Sequence, residues 1–151
     1  MTARRAAPQR LEIVFTLHAE LAALELPQPC PPARTDGLWR HTCFEMFLRR
    51  AGEDEYREYN FSPSGAWAAY QFTSYRSGMT GSLHAPVEAH WHSGADLLEL
   101  GVVLECPNGA LRLGCSAVIE GKGGALSYWA LIHPSENPDF HHADAFNVEL
   151  G

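Results

Sequence analysis

Turn-forming clusters cut this chain into short pieces, and none of the pieces sustains a helical period. Pro27-Gln28-Pro29-Cys30-Pro31-Pro32, Asp36-Gly37, Ser62-Pro63-Ser64-Gly65, Pro107-Asn108-Gly109 and Gly121-Lys122-Gly123-Gly124 are the strongest breaks. Between them lie runs that alternate apolar and polar residues or are apolar throughout. Strands are predicted over Leu11 to His18, Leu38 to Leu48, Tyr56 to Phe61, Trp67 to Arg76, Pro86 to His92, Leu97 to Glu105, Leu111 to Glu120, Leu126 to His133 and Phe146 to Leu150. Leu21 to Leu26 is too short to separate a strand from one helical turn. Ser77 to Ser82 and the polar stretch from Pro134 to Asp144 read as loops. About nine short strands at such spacing predict an all-β, antiparallel β-sandwich. A length of 151 residues fits one domain with a core of its own.

Leu38 to Leu48 is the most informative strand. Counting in twos separates its sides. Thr42, Phe44, Met46 and Leu48 form one side and suit a buried sheet. Trp39, His41, Cys43, Glu45 and Phe47 form the other. A Trp, a His and a carboxylate in one row suit a wet, aromatic-floored cleft. The next strand adds Glu58 and Asn60, again two apart. In Leu111 to Glu120, the residues Leu111, Leu113, Cys115, Ala117 and Ile119 share a face.

Each candidate has two roles open to it. Trp39 can stack on the apolar face of a sugar ring or pack against the sheet. Glu45 can accept hydrogen bonds from hydroxyls or pair with Arg76 or Arg40. Asn60 can contact a ligand or cap the Ser-Pro turn. Arg76 can fork onto a ligand or stay solvated. Trp129, Leu131 and His133 share one side of their strand, and Tyr128, Ala130 and Ile132 share the other, which is expected to face the core. Trp129 and His133 then line the cleft, unless Trp129 is the buried Trp common in sandwiches.

The formal charge of −7 argues against a general nucleic-acid or anionic-membrane binder. No apolar run approaches the ~20 residues of a membrane span. Met1 to Arg10 lacks the apolar segment of a secretory signal, so a cytoplasmic location is expected. Cys30, Cys43, Cys106 and Cys115 include no CxxC pair and are expected to be reduced. The histidines offer pairs, such as His90 with His92 and His141 with His142, where a metal needs three or four ligands. No cofactor or metal is therefore expected. Glu45 and Glu58 lie on neighbouring strands, but accidental carboxylate pairs are common. His41 and Cys43 are about 7 Å apart as i and i+2 of a strand, too far for direct proton transfer. Catalysis is not expected.

The blocks LWxxxxFExFL, EYNFSPSGxWxxYxFxxYRxG, SYWALxHP and PDFHHxDxFxxEL, in that order, resemble the bacterial DOMON-like proteins, which are related to the family-nine carbohydrate-binding modules. The likeness covers Asp36 to Gly78 and Leu126 to Leu150. It implies an immunoglobulin-like or jelly-roll sandwich that holds a saccharide without acting on it. In the relatives a Trp and a Glu six residues apart contact the sugar, and Trp39 and Glu45 keep that spacing. The resemblance also implies a sugar-binding Arg, matched by Arg76. The second aromatic clamp of the relatives does not align with Trp129. Other DOMON relatives bind haem through Met and His, which makes a haem- or metal-binding redox module the alternative, alongside a protein-interaction sandwich. Met46 is expected to face the core.

Overall fold

A computed structural model describes residues 1–81 and 84–151. Ser82, the last residue of the predicted 77–82 loop, lies outside the described residues. Eleven strands are present among the described residues, with three short 3-10 turns and no α-helix. They are β1 (Thr2–Ala7), β2 (Arg10–His18), β3 (Cys43–Arg50), β4 (Tyr56–Phe61), β5 (Trp67–Phe72), β6 (Thr80–Gly81), β7 (Glu88–Ser93), β8 (Leu97–Glu105), β9 (Leu111–Glu120), β10 (Leu126–Ala130) and β11 (Val148–Leu150). The smaller sheet has the order β1-β2-β8-β7. The larger runs β10-β9-β3-β4-β5-β6, with β11 also paired to β9. All pairings between named strands are antiparallel. The architecture is the expected antiparallel β-sandwich. Its two additional strands are β1, in the Arg-containing N-terminal segment, and the two-residue β6.

The main core lies between the sheets. Leu11, Ile13 and Phe15 of β2 and Leu98, Leu100, Val102 and Leu104 of β8 meet Phe44, Met46 and Leu48 of β3 and Tyr59 and Phe61 of β4. The rings of Phe15 and Phe44 stack across the gap at 5.2 Å. Every one of these positions is an alternate residue of its strand, so the period of two decides which side is sealed. Leu111, Leu113, Cys115 and Ile119 of β9 join the same core, as their shared face requires. All four cysteines are free thiols, and burial pushes the Cys115 thiol up to about 12.

The large sheet buries residues on its outer face too. Phe47, Tyr56, Ala68, Tyr70, Phe72 and Phe146 form a second apolar cluster, with Leu38 and Phe140 packed against it. A strand buried on both faces reads as nearly continuous apolar sequence, which is what Cys43 to Leu48 shows around Glu45. The cover for this face comes from two distant segments, the 3-10 turn Leu38–Arg40 and the long stretch leading to β11.

Several element ends differ from expectation. The predicted central strand is ordered as a strand only from Cys43. Gly37, at φ 79°, lets the chain enter the left-handed region and start the 3-10 turn Leu38–Arg40 instead. β5 stops at Phe72, and residues 73–78 fold into a turn closed by Thr73 N–H to Ser77 O (3.0 Å). Gly78 at φ 64° is required there, because a Cβ would lie 2.3 Å from Thr73 Oγ1. β10 ends at Ala130 rather than His133, and of the two readings open for Leu21 to Leu26 the helical turn is the one formed, as a 3-10 turn at Leu21–Ala23.

Candidate functional site

The outer face of the large sheet carries a hollow of about 460 Å³. Its floor is Glu45 and Phe47 of β3, Glu58 of β4, Tyr70 and Phe72 of β5, and Val118 of β9. The pairing explains the set. Glu45 stands opposite Asn60 and Ser116, and Phe47 opposite Glu58, so these side chains share one face by register. Trp39, Arg76, Met79, Tyr128, Pro138, Phe140 and His141 form the walls and roof.

Trp39, Glu45 and Arg76 therefore meet in one hollow, although only Glu45 is on the strand that was expected to carry both Trp39 and Glu45. Trp39 arrives from the 3-10 turn. Its ring meets Tyr70 edge-on at 5.8 Å and stays 37% exposed. Arg76 sits in the tight turn after β5, at φ 50°, a strained position for a residue with a side chain. Its backbone N–H donates to Tyr56 Oη (3.2 Å), and its guanidinium donates to Asp139 Oδ1 (3.0 Å). Asn60 is wholly buried just beneath, with Nδ2 donating to Glu58 Oε1 at 2.8 Å. Among the described residues, Asn60 Oδ1 has no hydrogen-bond partner.

Trp129 and His133 are not part of this lining. β10 pairs Tyr128 with Val118 and Trp129 with Ala117. Val118 faces the hollow, so Tyr128 does as well. Trp129 points to the opposite side, where it stands 63% exposed beside Phe15, Leu17 and Ala117 at the open edge of the sandwich. The expected core side of this strand was thus inverted: Tyr128, assigned to the core, lines the hollow. Trp129 is not the buried Trp of a sandwich either. His133 lies beyond β10, its ring 6.1 Å from that of Phe140. His41 is also outside the hollow and is bonded to Glu120 at 2.7 Å.

The long segment after Pro134 supplies what sequence reasoning missed. His141 is the centre of an aromatic box, with Phe47 at 5.0 Å, Phe72 at 5.1 Å and Tyr56 at 5.8 Å. Tyr56 Oη and His141 Nδ1 share a hydrogen bond of 2.7 Å, and His141 Nε2 lies 3.7 Å from Glu58 Oε2. Burial and, less strongly, the charge of Arg76 bring the imidazole down to about 4, against the pull of Asp139. A charged pair with Glu58 would push the other way. The burial is direct and the 3.7 Å contact is long, so His141 is neutral near pH 7.

The carboxylates respond to the same dryness. Burial first, and then the nearby charge of Glu58, raise Glu45 to about 8, although Ser116 Oγ donates to Glu45 Oε2 at 2.8 Å. Glu58 is also raised by burial, against the Asn60 hydrogen bond and the charge of Arg76. Tyr56 is pushed up to about 12, mainly by burial. Near neutral pH the floor therefore holds Glu45 as a neutral acid. Among the described residues, no group of three or more His, Cys, Asp and Glu side chains is gathered tightly enough to hold a metal ion. Met46 is fully buried between the sheets, away from the hollow.

A protein of Bacteroides uniformis, named a "putative carbohydrate-binding protein", has a solved structure that superposes on this chain with a TM-score of 0.56. The match covers 93% of this chain and 70% of that one at 14% identity, and it shows a shared fold. No family model matches the chain, and no curated protein matches it.

Proposed function

We propose that the hollow is a binding site for a small polar ligand, a saccharide being the best fit, and that the chain binds without chemistry of its own. The observation that carries this is the juxtaposition of Trp39 with buried Glu45 and Glu58 in one solvent-open recess. A sugar ring has an apolar face and a rim of hydroxyls. Trp39 and Tyr128 supply apolar walls, and the floor supplies acceptors and the rim guanidinium supplies donors. The similarity in fold to the Bacteroides protein, and that protein's name, lend support to a saccharide. The residue set differs from the sequence expectation by taking Tyr128 in place of Trp129 and His133, and by adding Glu58 and His141.

Trp39→Ala tests the reading. Calorimetric titration with a panel of mono- and disaccharides should show affinity weakened by about 1–3 kcal/mol, the scale of a lost stacking anchor. Thermal melting should move by no more than about 4 °C, because the indole is on a surface turn outside both cores. A large melting shift with affinity retained would make Trp39 a packing residue and remove the stacking wall from the proposal.

A further inference from the structure

The charges of the hollow do not balance, and the imbalance says something about the ligand. Glu45 and Glu58 stand on its floor. Among the described residues, neither carboxylate has an Arg or Lys within ion-pair distance; the histidine near Glu58 is the neutral His141. Arg76 is the cation of the lining, and it is already matched by Asp139 at 3.0 Å. A buried carboxylate ordinarily keeps a cation beside it. Here that position opens onto the recess.

Hydrogen-bond accounting points the same way. Ser116 occupies Glu45 Oε2, and Asn60 Nδ2 occupies Glu58 Oε1. The wholly buried Asn60 Oδ1, bonded to nothing among the described residues, lies beside both by register. Each carboxyl on the floor therefore keeps one oxygen, Glu45 Oε1 and Glu58 Oε2, that these two bonds leave open to an occupant with donors. The rings of Trp39, Tyr128 and Phe140 in the walls and of Tyr70 and Phe72 in the floor line the hollow, surroundings that favour a cation over an anion. A formal charge of −7 adds long-range attraction of the same sign.

We propose that the ligand carries a protonated amine, seated against Glu45 and Glu58, so that a saccharide with a free amino group is preferred over its neutral counterpart. This rests on the hollow being the saccharide site. An ammonium group offers three donors and one positive charge, where a hydroxyl offers one donor and none. It replaces the proton that Glu45 holds in the empty site, so binding expels that proton. Glu45 is faced by Glu58 and Asn60 from β4 and by Ser116 from β9, with the buried Cys43 thiol beside it on β3 and Arg76 and His141 across the hollow. Burial raises the Glu45 carboxyl to about 8.

The test is isothermal titration at pH 7 with matched trios: glucose, galactose and mannose, their 2-amino forms and their N-acetylated forms. The amino sugar of at least one trio should bind about tenfold or more tightly than both partners, since charge-assisted hydrogen bonds exceed neutral ones. Its heat should vary with the ionisation enthalpy of the buffer, reporting proton release. In Glu45→Gln the preference should shrink to about twofold or less, because glutamine carries neither charge nor exchangeable acid. Neutral or acetylated sugars binding as tightly as the amino forms would overturn the amine and leave the saccharide site standing. No binding by any member of the panel would overturn both.

Discussion

Phe47→Ala is expected to cost about 3–5 kcal/mol, the range for deleting a buried phenylalanine ring. Phe47 is 2% exposed, yet it lies on the outer face of the large sheet and not between the sheets. Its ring touches His141 at 5.0 Å, Phe146 at 6.2 Å and Tyr56 at 6.5 Å, so it links the sheet to the roof. Two consequences separate this substitution from an ordinary core deletion. Amides of residues 139–146 should lose hydrogen-exchange protection before those of β2 and β8, whose packing lies in the other core. Saccharide affinity should fall as well, because the roof residues Phe140 and His141 lose their seat. Denaturant melts of the variant and exchange measured in native buffer check both. A cost below about 1 kcal/mol would mean that the outer cluster contributes little to holding the hollow together.

Glu45→Gln is expected to flatten the pH dependence of stability above pH 6.5. The sign follows from proton counting. Glu45 has an ordinary value of 4.5, and in the folded protein it is raised to about 8. Between those limits the folded chain holds a proton that the unfolded chain has released. Stability from this group is therefore full below pH 4.5 and is lost as pH rises through 8, about 5 kcal/mol in all at ~1.4 kcal/mol per unit. His141 works in the opposite direction. Its value falls from 6.5 to about 4 on folding, so it adds stability as pH rises from 4 to 6.5 and contributes no slope above that. The two slopes largely offset each other up to pH 6.5. From there to pH 8 the Glu45 slope stands alone, and the wild type should lose about 1–2 kcal/mol. Glutamine imitates the neutral acid and still accepts from Ser116. Its melts should be nearly level across pH 6.5–8 and exceed the wild type at the upper end. Parallel curves for the two proteins would contradict the buried neutral acid.

The sandwich and the face of β3 were legible in the sequence because both follow from a period of two. The residues 43, 45 and 47 had to part company with 44, 46 and 48, whatever the chain did elsewhere. Trp39 shows a subtler outcome. Parity placed it beside Glu45 on one strand, but Gly37 diverts the chain into a turn, and the turn folds Trp39 over the same face. The Tyr128 and Trp129 sides were not legible, since β10 is an edge strand that is apolar on both sides and half-exposed on each. Only its register with β9 decides which ring enters the hollow. His141 was hidden for another reason. It comes from a loop more than 80 residues from its partner Tyr56, and no local period announces a long-range docking. The one local sign was the pair Pro138 and Phe140, an apolar interruption in an otherwise polar stretch.

Chemical-shift mapping of the isotope-labelled protein during titration with the same mono- and disaccharides bears most directly on where a ligand sits. For a sugar that binds, the largest saturable shifts should fall on Trp39, Glu45, Glu58, Asn60, Arg76, Tyr128 and His141, with Trp129, Leu131 and the small sheet unmoved. Saturable shifts centred instead on Trp129 and the open edge of the sandwich, or no shifts with any sugar of the panel, would contradict the account.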